Sequence, residues 1–225
     1  MSLRLGRILA RMRIRLFLMA NVLQYSMPRT GSTLIRRILY SVFPDLEQPS
    51  QHPPFKQYCH EDTLVISCRH PLDVLLSLIR VDGSGCPYEM GRLANGTIKN
   101  YLTNLELQYD YYFKDLKKHR GNKLKLKYEK FWNNYDYVFD NFETFFGIKI
   151  DKHKRNSIAE ECGIENSKKI QAKLKNFDCV DNKTKIHGNH IVTPEPFGYR
   201  KVLTGDQIDL LKHKLHDPIQ EWKQI

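Results

Sequence analysis

Arg29, Thr30, Gly31, Ser32 and Thr33 form the part of this chain best suited to chemistry on an anion. They lie in the stretch Leu23-Gln24-Tyr25-Ser26-Met27-Pro28-Arg29-Thr30-Gly31-Ser32-Thr33-Leu34-Ile35. The apolar residues Val22, Leu23 and Tyr25 read as a buried strand, and Pro28–Gly31 as a tight turn. Leu34, Ile35, Ile38 and Leu39 then recur at helical spacing. Strand, glycine turn and helix start bring unpaired main-chain N–H groups and the positive helix end to one point, with the Ser32 and Thr33 hydroxyls beside it. The nucleoside-triphosphate loop G-x-x-x-x-G-K-[ST] is different. Here Ser26 stands at its first glycine, Ser32 replaces its lysine, and the cation is Arg29, two residues ahead of Gly31. The expected chemistry is phosphate binding without the ATP-hydrolysis apparatus.

A second grip follows in Thr63-Leu64-Val65-Ile66-Ser67-Cys68-Arg69-His70-Pro71-Leu72-Asp73-Val74-Leu75-Leu76-Ser77. Residues 63–66 read as a buried strand and Pro71 as the first residue of a helix. Arg69 therefore ends a strand and Ser77 lies about two turns into the next helix. A guanidinium and a hydroxyl so offset suit a second phosphate group. Asp73 falls in the first helical turn, where a carboxylate complements the helix dipole.

With both segments in this order, the chain resembles the P-loop sulfotransferases, which take the sulfuryl group from 3′-phosphoadenosine 5′-phosphosulfate (PAPS). Pro28-Arg29-Thr30-Gly31-Ser32-Thr33-Leu34 is similar to that family's 5′-phosphosulfate loop, and Arg69-x-Pro71-x-Asp73-x-x-x-Ser77 to its 3′-phosphate motif. Leu124–Phe131 resembles the strand ending in a Tyr-Glu pair, and the resemblance puts Tyr128 near the adenine. Gly198-Tyr199-Arg200-Lys201-Val202-Leu203 is similar to the basic loop that closes on the 3′-phosphate through residues matching Arg200 and Lys201. There are departures. Leu34 stands where many cytosolic members carry an adenine-stacking Trp, Arg29 replaces their Lys, and Val202 their Gly. The resemblance implies PAPS as donor, no metal, and a small-molecule or glycan hydroxyl as acceptor. It also implies a proton-accepting base between the two phosphate motifs. Candidates there are Glu47, His52, His60 and Glu61. His52 is preferred for its pKa near neutrality, with Glu47 as its rival. Arg29 is the cation for charge developing on the leaving phosphate.

The elements that would hold these groups follow a strand–helix alternation. Strands near 22–27, 63–68 and 123–128 alternate with helices, which predicts an α/β fold of three layers with a central, mostly parallel sheet flanked by helices; the resemblance implies that this is a P-loop fold. Ile98, Leu102, Leu105, Tyr109, Tyr112 and Leu116 predict an amphipathic helix over 97–118, its Tyr-rich end read as packing. Phe131, Tyr135, Val138, Phe142 and Phe145 predict another, stopped by Gly147. Thr204-x-x-Gln207 predicts a capping box opening a C-terminal helix that Pro218 ends. The glycine-rich segment 82–96 reads as a lid or acceptor-contacting loop.

Two regions are expected, a basic N-terminal extension over 1–20 and a catalytic domain over 21–225. The chain has 225 residues, 41% of them hydrophobic, and a net charge of +11, which favours anionic ligands. The mean hydropathy of −0.53 and the lack of any 18-residue apolar run argue against a membrane span. Residues 1–20 carry Arg4, Arg7, Arg11, Arg13 and Arg15 and no acid, which fits an extension or a basic surface helix in peripheral membrane contact better than an organelle-targeting peptide. Cys59, Cys68, Cys86, Cys162 and Cys179 show no metal spacing, and an odd, scattered set suits reduced thiols and a cytoplasmic setting. Two other readings stay open on the residues alone. One is a small-molecule or nucleotide kinase, which the missing loop lysine disfavours. The other is a non-catalytic module for anionic polymers. Nucleic acid is not the expected partner, because the lysines are spread over several elements rather than set in one aromatic-interleaved stripe.

Overall fold

The computed structural model describes residues 22–46, 62–82, 95–176, 178–188, 191 and 195–225. Three strands, β1 (Val22–Gln24), β2 (Thr63–Cys68) and β3 (Lys123–Lys127), form a parallel sheet in the order β1-β2-β3. Val22 pairs with Thr63, and Val65 with Leu124. The Tyr25 N–H donates to the Val65 carbonyl at 2.9 Å and carries the pairing one residue past β1.

Side chains alternate across β2, and this builds the layers. Leu64 and Ile66 point to one face and pack with α2 (Pro71–Asp82), α3 (Asn95–Lys118) and Leu211 and Leu215 near the C-terminus. Val65, Leu124 and Leu126 point to the other face. There they meet α1 (Ser32–Val42), α5 (Tyr135–Phe146) and α6 (Lys152–Cys162) through Ile35, Ile38, Leu39, Val138, Phe142 and Ile158. The three-layer arrangement with a parallel sheet is as the strand–helix alternation predicts.

Local signals explain most boundaries. Gly31, at φ 83°, turns the chain into α1, a left-handed conformation that glycine adopts without a Cβ penalty. Gly147, at φ 61°, closes α5, as expected. The predicted helix around Phe131 is split: α4 (Tyr128–Phe131) is a single turn, and Asn133 at φ 53° breaks the path. The Asn134 side chain then accepts the Tyr137 N–H to start α5. The Thr204/Gln207 capping box opens α8 (Gly205–Lys214). Pro218 does not end a helix. It lies in the first turn of α9 (His216–Lys223), where a missing N–H leaves no intrahelical bond unmade.

Candidate functional site

The phosphate loop leaves β1 and enters α1 without a capping side chain on Gly31 and without an acid in the first helical turn. The helix start therefore offers its main-chain N–H groups to an external anion. A Cβ on Gly31 would lie 2.8 Å from Cδ2 of Tyr128, so the loop rests directly on that ring. Arg29 also has a positive φ, 69°. Its Nε donates to Ser77 Oγ at 2.9 Å, which ties the loop to α2.

Arg69 reaches the same place from the end of β2. Its guanidinium lies 4.4 Å over the Tyr128 ring, donates to the Glu195 carbonyl at 3.4 Å, and stands 3.9 Å from Asp73 Oδ2. Burial pushes the Tyr128 hydroxyl's pKa up, with Arg69 opposing, so the tyrosine stays neutral. Arg29, Gly31, Thr33, Arg69, Ser77 and Tyr128 all line one cleft of about 890 Å³, counting its open mouth. That is the size range of small-molecule sites.

The other sequence-derived positions lie elsewhere. Thr30 is buried and turned inward, its Oγ1 donating to the Met27 carbonyl at 2.7 Å and lying 3.0 Å from Ser67 Oγ. Ser32 is buried as well. Neither residue borders the cleft. Arg200 and Lys201, on the 3₁₀ turn Gly198–Lys201, are exposed and outside the cleft lining. Arg200 folds over the rings of Phe197 at 5.0 Å and Tyr199 at 5.8 Å. That turn is held from below: Asp73 accepts the N–H groups of Phe197 at 2.7 Å and Tyr199 at 3.0 Å. Burial raises the Asp73 pKa, and Arg69 and the two N–H groups work against the rise. The candidate bases His52, Glu47, His60 and Glu61, the tail 1–20 and residues 83–94 of the suggested lid lie outside the described residues.

Three cleft residues were not anticipated from sequence. Arg37 lines the cleft and donates to Ser167 Oγ at 2.7 Å, Arg80 is buried in its wall, and Trp132 stacks with Tyr128 at 5.8 Å between centroids. Each stands three or four residues beyond a motif residue (Thr33, Ser77, Tyr128). Helical spacing puts such neighbours on one face, and that was the available signal. Trp132 gives the cleft an indole although Leu34 does not.

With its cation set, bare helix start and aromatic wall, the cleft suits a phosphorylated, ring-bearing ligand. No family model matches the sequence, and no curated protein matches it significantly. Among solved structures the chain is similar to mouse sulfotransferase SULT7A1 complexed with PAP, at a TM-score of 0.61 and 14% identity. The match covers 91% of this chain and 88% of that one. The chain has the sulfotransferase P-loop fold.

Proposed function

We propose that this protein transfers a sulfuryl group from PAPS to a hydroxyl acceptor, a small molecule or glycan, in the cytoplasm. The observation that carries the reading is that the phosphate loop and the Arg69–Ser77 motif face one cleft, with Arg29 Nε on Ser77 Oγ at 2.9 Å. Two anion grips held one helix apart match a donor phosphorylated at two positions. The mouse protein's complex with PAP adds support at the level of fold. In this reading Thr30, Gly31, Ser32 and Thr33 bind the 5′-phosphosulfate through main-chain N–H groups, and Thr33 through its hydroxyl as well. Arg69 and Ser77 bind the 3′-phosphate, with Arg200 and Lys201 closing on it, and Tyr128 borders the adenine. Arg29 steadies charge on the leaving phosphate while His52, or Glu47 in its place, takes the acceptor proton.

Adenosine 3′,5′-bisphosphate should bind without added metal, and Arg69→Ala should lose on the order of 1.5–3 kcal/mol, the range of a charge-assisted contact. Unchanged affinity in that variant by calorimetry would overturn the assignment. Single-turnover assays then separate the bases. His52→Ala should lose roughly 10²–10⁴-fold in rate with bisphosphate affinity intact, and the same loss in Glu47→Ala instead would move the role to the glutamate.

A further inference from the structure

A second cavity, of about 760 Å³ with its open mouth, lies on the α3 side of the sheet between α3, β3 and α9. Its chemistry differs from that of a packing gap. β3, last in the described strand order, reads Lys-Leu-Lys-Leu-Lys, with Lys123 and Lys125 exposed, the alternation of a strand with one polar face. Leu124 and Leu126 fill the core on the α1 side, while Lys123, Lys125 and Lys127 pair in register with Leu64, Ile66 and Cys68.

Two of these lysines are engaged. Lys123 Nζ donates to the Leu116 and His119 carbonyls at 3.1 and 2.9 Å, closing the end of α3, and Lys127 Nζ sits 4.0 Å over the Trp222 ring. Lys125 and Lys117 both line the cavity, and neither makes a hydrogen bond or ion pair among the described residues. The aromatic lining is Tyr109, stacked on Phe113 at 5.5 Å, together with Tyr112 and Trp222. Glu221 is the acid among the described lining residues.

We propose that this cavity binds a planar aromatic anion, its ring against Tyr109, Phe113 and Trp222 and its acidic group at Lys117 and Lys125. Apolar ring faces supply contact area, and the two ammonium groups select charge. Met27, Thr30 and Arg69 also line this cavity, so the phosphate loop is the wall between it and the donor cleft. The proposal does not rest on sulfuryl transfer.

The two tryptophans of the chain make the test direct, since Trp132 lines the donor cleft and Trp222 the second cavity. In ¹⁹F NMR of protein carrying 5-fluorotryptophan, assigned with Trp132→Phe, 2-naphthoate should move the Trp222 signal saturably and leave Trp132 in place. The neutral 2-naphthol should bind more weakly. In Lys117→Glu/Lys125→Glu, affinity for the anion should fall roughly tenfold, as for two partly screened charge contacts. Lys117→Met/Lys125→Met keeps the aliphatic stems and should show a smaller loss in the same direction. A parallel titration with 2-naphthyl sulfate distinguishes a carboxylate ligand from a sulfate ester by which anion binds more tightly. An unmoved Trp222 signal, equal binding of naphthol, or full affinity in both lysine variants would overturn the proposal. Adenosine 3′,5′-bisphosphate should move Trp132 instead, so failure of the donor reading is seen on a separate signal.

Discussion

His70 sits in a box of rings, stacked on Tyr199 at 4.8 Å and met edge-on by Trp222 at 4.8 Å and Phe197 at 5.9 Å. Its Nδ1 accepts the Leu72 N–H at 3.3 Å, which requires a neutral ring. Burial first, then the positive charge of Arg200 and nearby lysines, pulls its pKa down to about 4. An unfolded chain protonates this imidazole near pH 6.5, whereas the folded one resists until about pH 4. Native stability is therefore full above pH 6.5 and falls as pH drops through that interval. Burial raises the Asp73 and Glu129 carboxyls; these take up protons earlier when folded and oppose the loss. The difference between wild type and His70→Asn isolates the histidine. Wild type should lose roughly 2 kcal/mol relative to the variant between pH 7 and 4.5, at about 1.4 kcal/mol per pKa unit. Urea melts showing a pH-independent difference would mean that His70 titrates normally.

Among the elements, the 3₁₀ turn depends most on a distant residue. Phe197 has φ 60°, a costly conformation for an aromatic residue, and Asp73 holds the turn by two main-chain bonds. The sequence located Asp73 in the first turn of α2 and suggested a dipole partner. Its bond to a segment more than a hundred residues away lies beyond local periodicity. The same limit explains Pro218, whose ring is as compatible with opening α9 as with ending α8. It explains Trp132 as well, since a cleft residue outside any motif is found only once the helix faces are assembled. What the sequence did reveal were local signals, namely Gly31, the Thr204/Gln207 box, Gly147 and the buried run that became β2. Asp73→Asn should cost about 1–3 kcal/mol, because one buried N–H loses its acceptor. If Arg200 reaches the donor through this held turn, Arg200→Ala should weaken bisphosphate binding less in the Asp73→Asn background than in wild type. Additive losses across that double-mutant cycle would separate the turn from Asp73.

Across the whole molecule, the positive excess is divided between the described residues and residues 1–20. Five arginines, with no acid, lie in residues 1–20, against a net charge of +11 for the chain. The cations that line the cleft of the phosphate loop, Arg29, Arg37, Arg69 and Arg80, all belong to the described residues. Three of them are tied in place by Ser77, Ser167 and Asp73. Among the described residues no helix is long and apolar enough to cross a membrane. The tail's arginines interleaved with Leu, Ile, Met and Phe suit the surface of an anionic bilayer. Two consequences separate tail from cleft. At about 0.15 M salt, where surface charges more than ~8 Å apart are largely screened, deleting residues 1–18 should leave bisphosphate affinity within about threefold, on the order of a single exposed charge contact. The full chain should co-sediment with vesicles containing phosphatidylserine, and the shortened chain should not. A larger drop in affinity would show that the tail reaches the donor cleft, and equal sedimentation of the two proteins would remove the membrane role from residues 1–18.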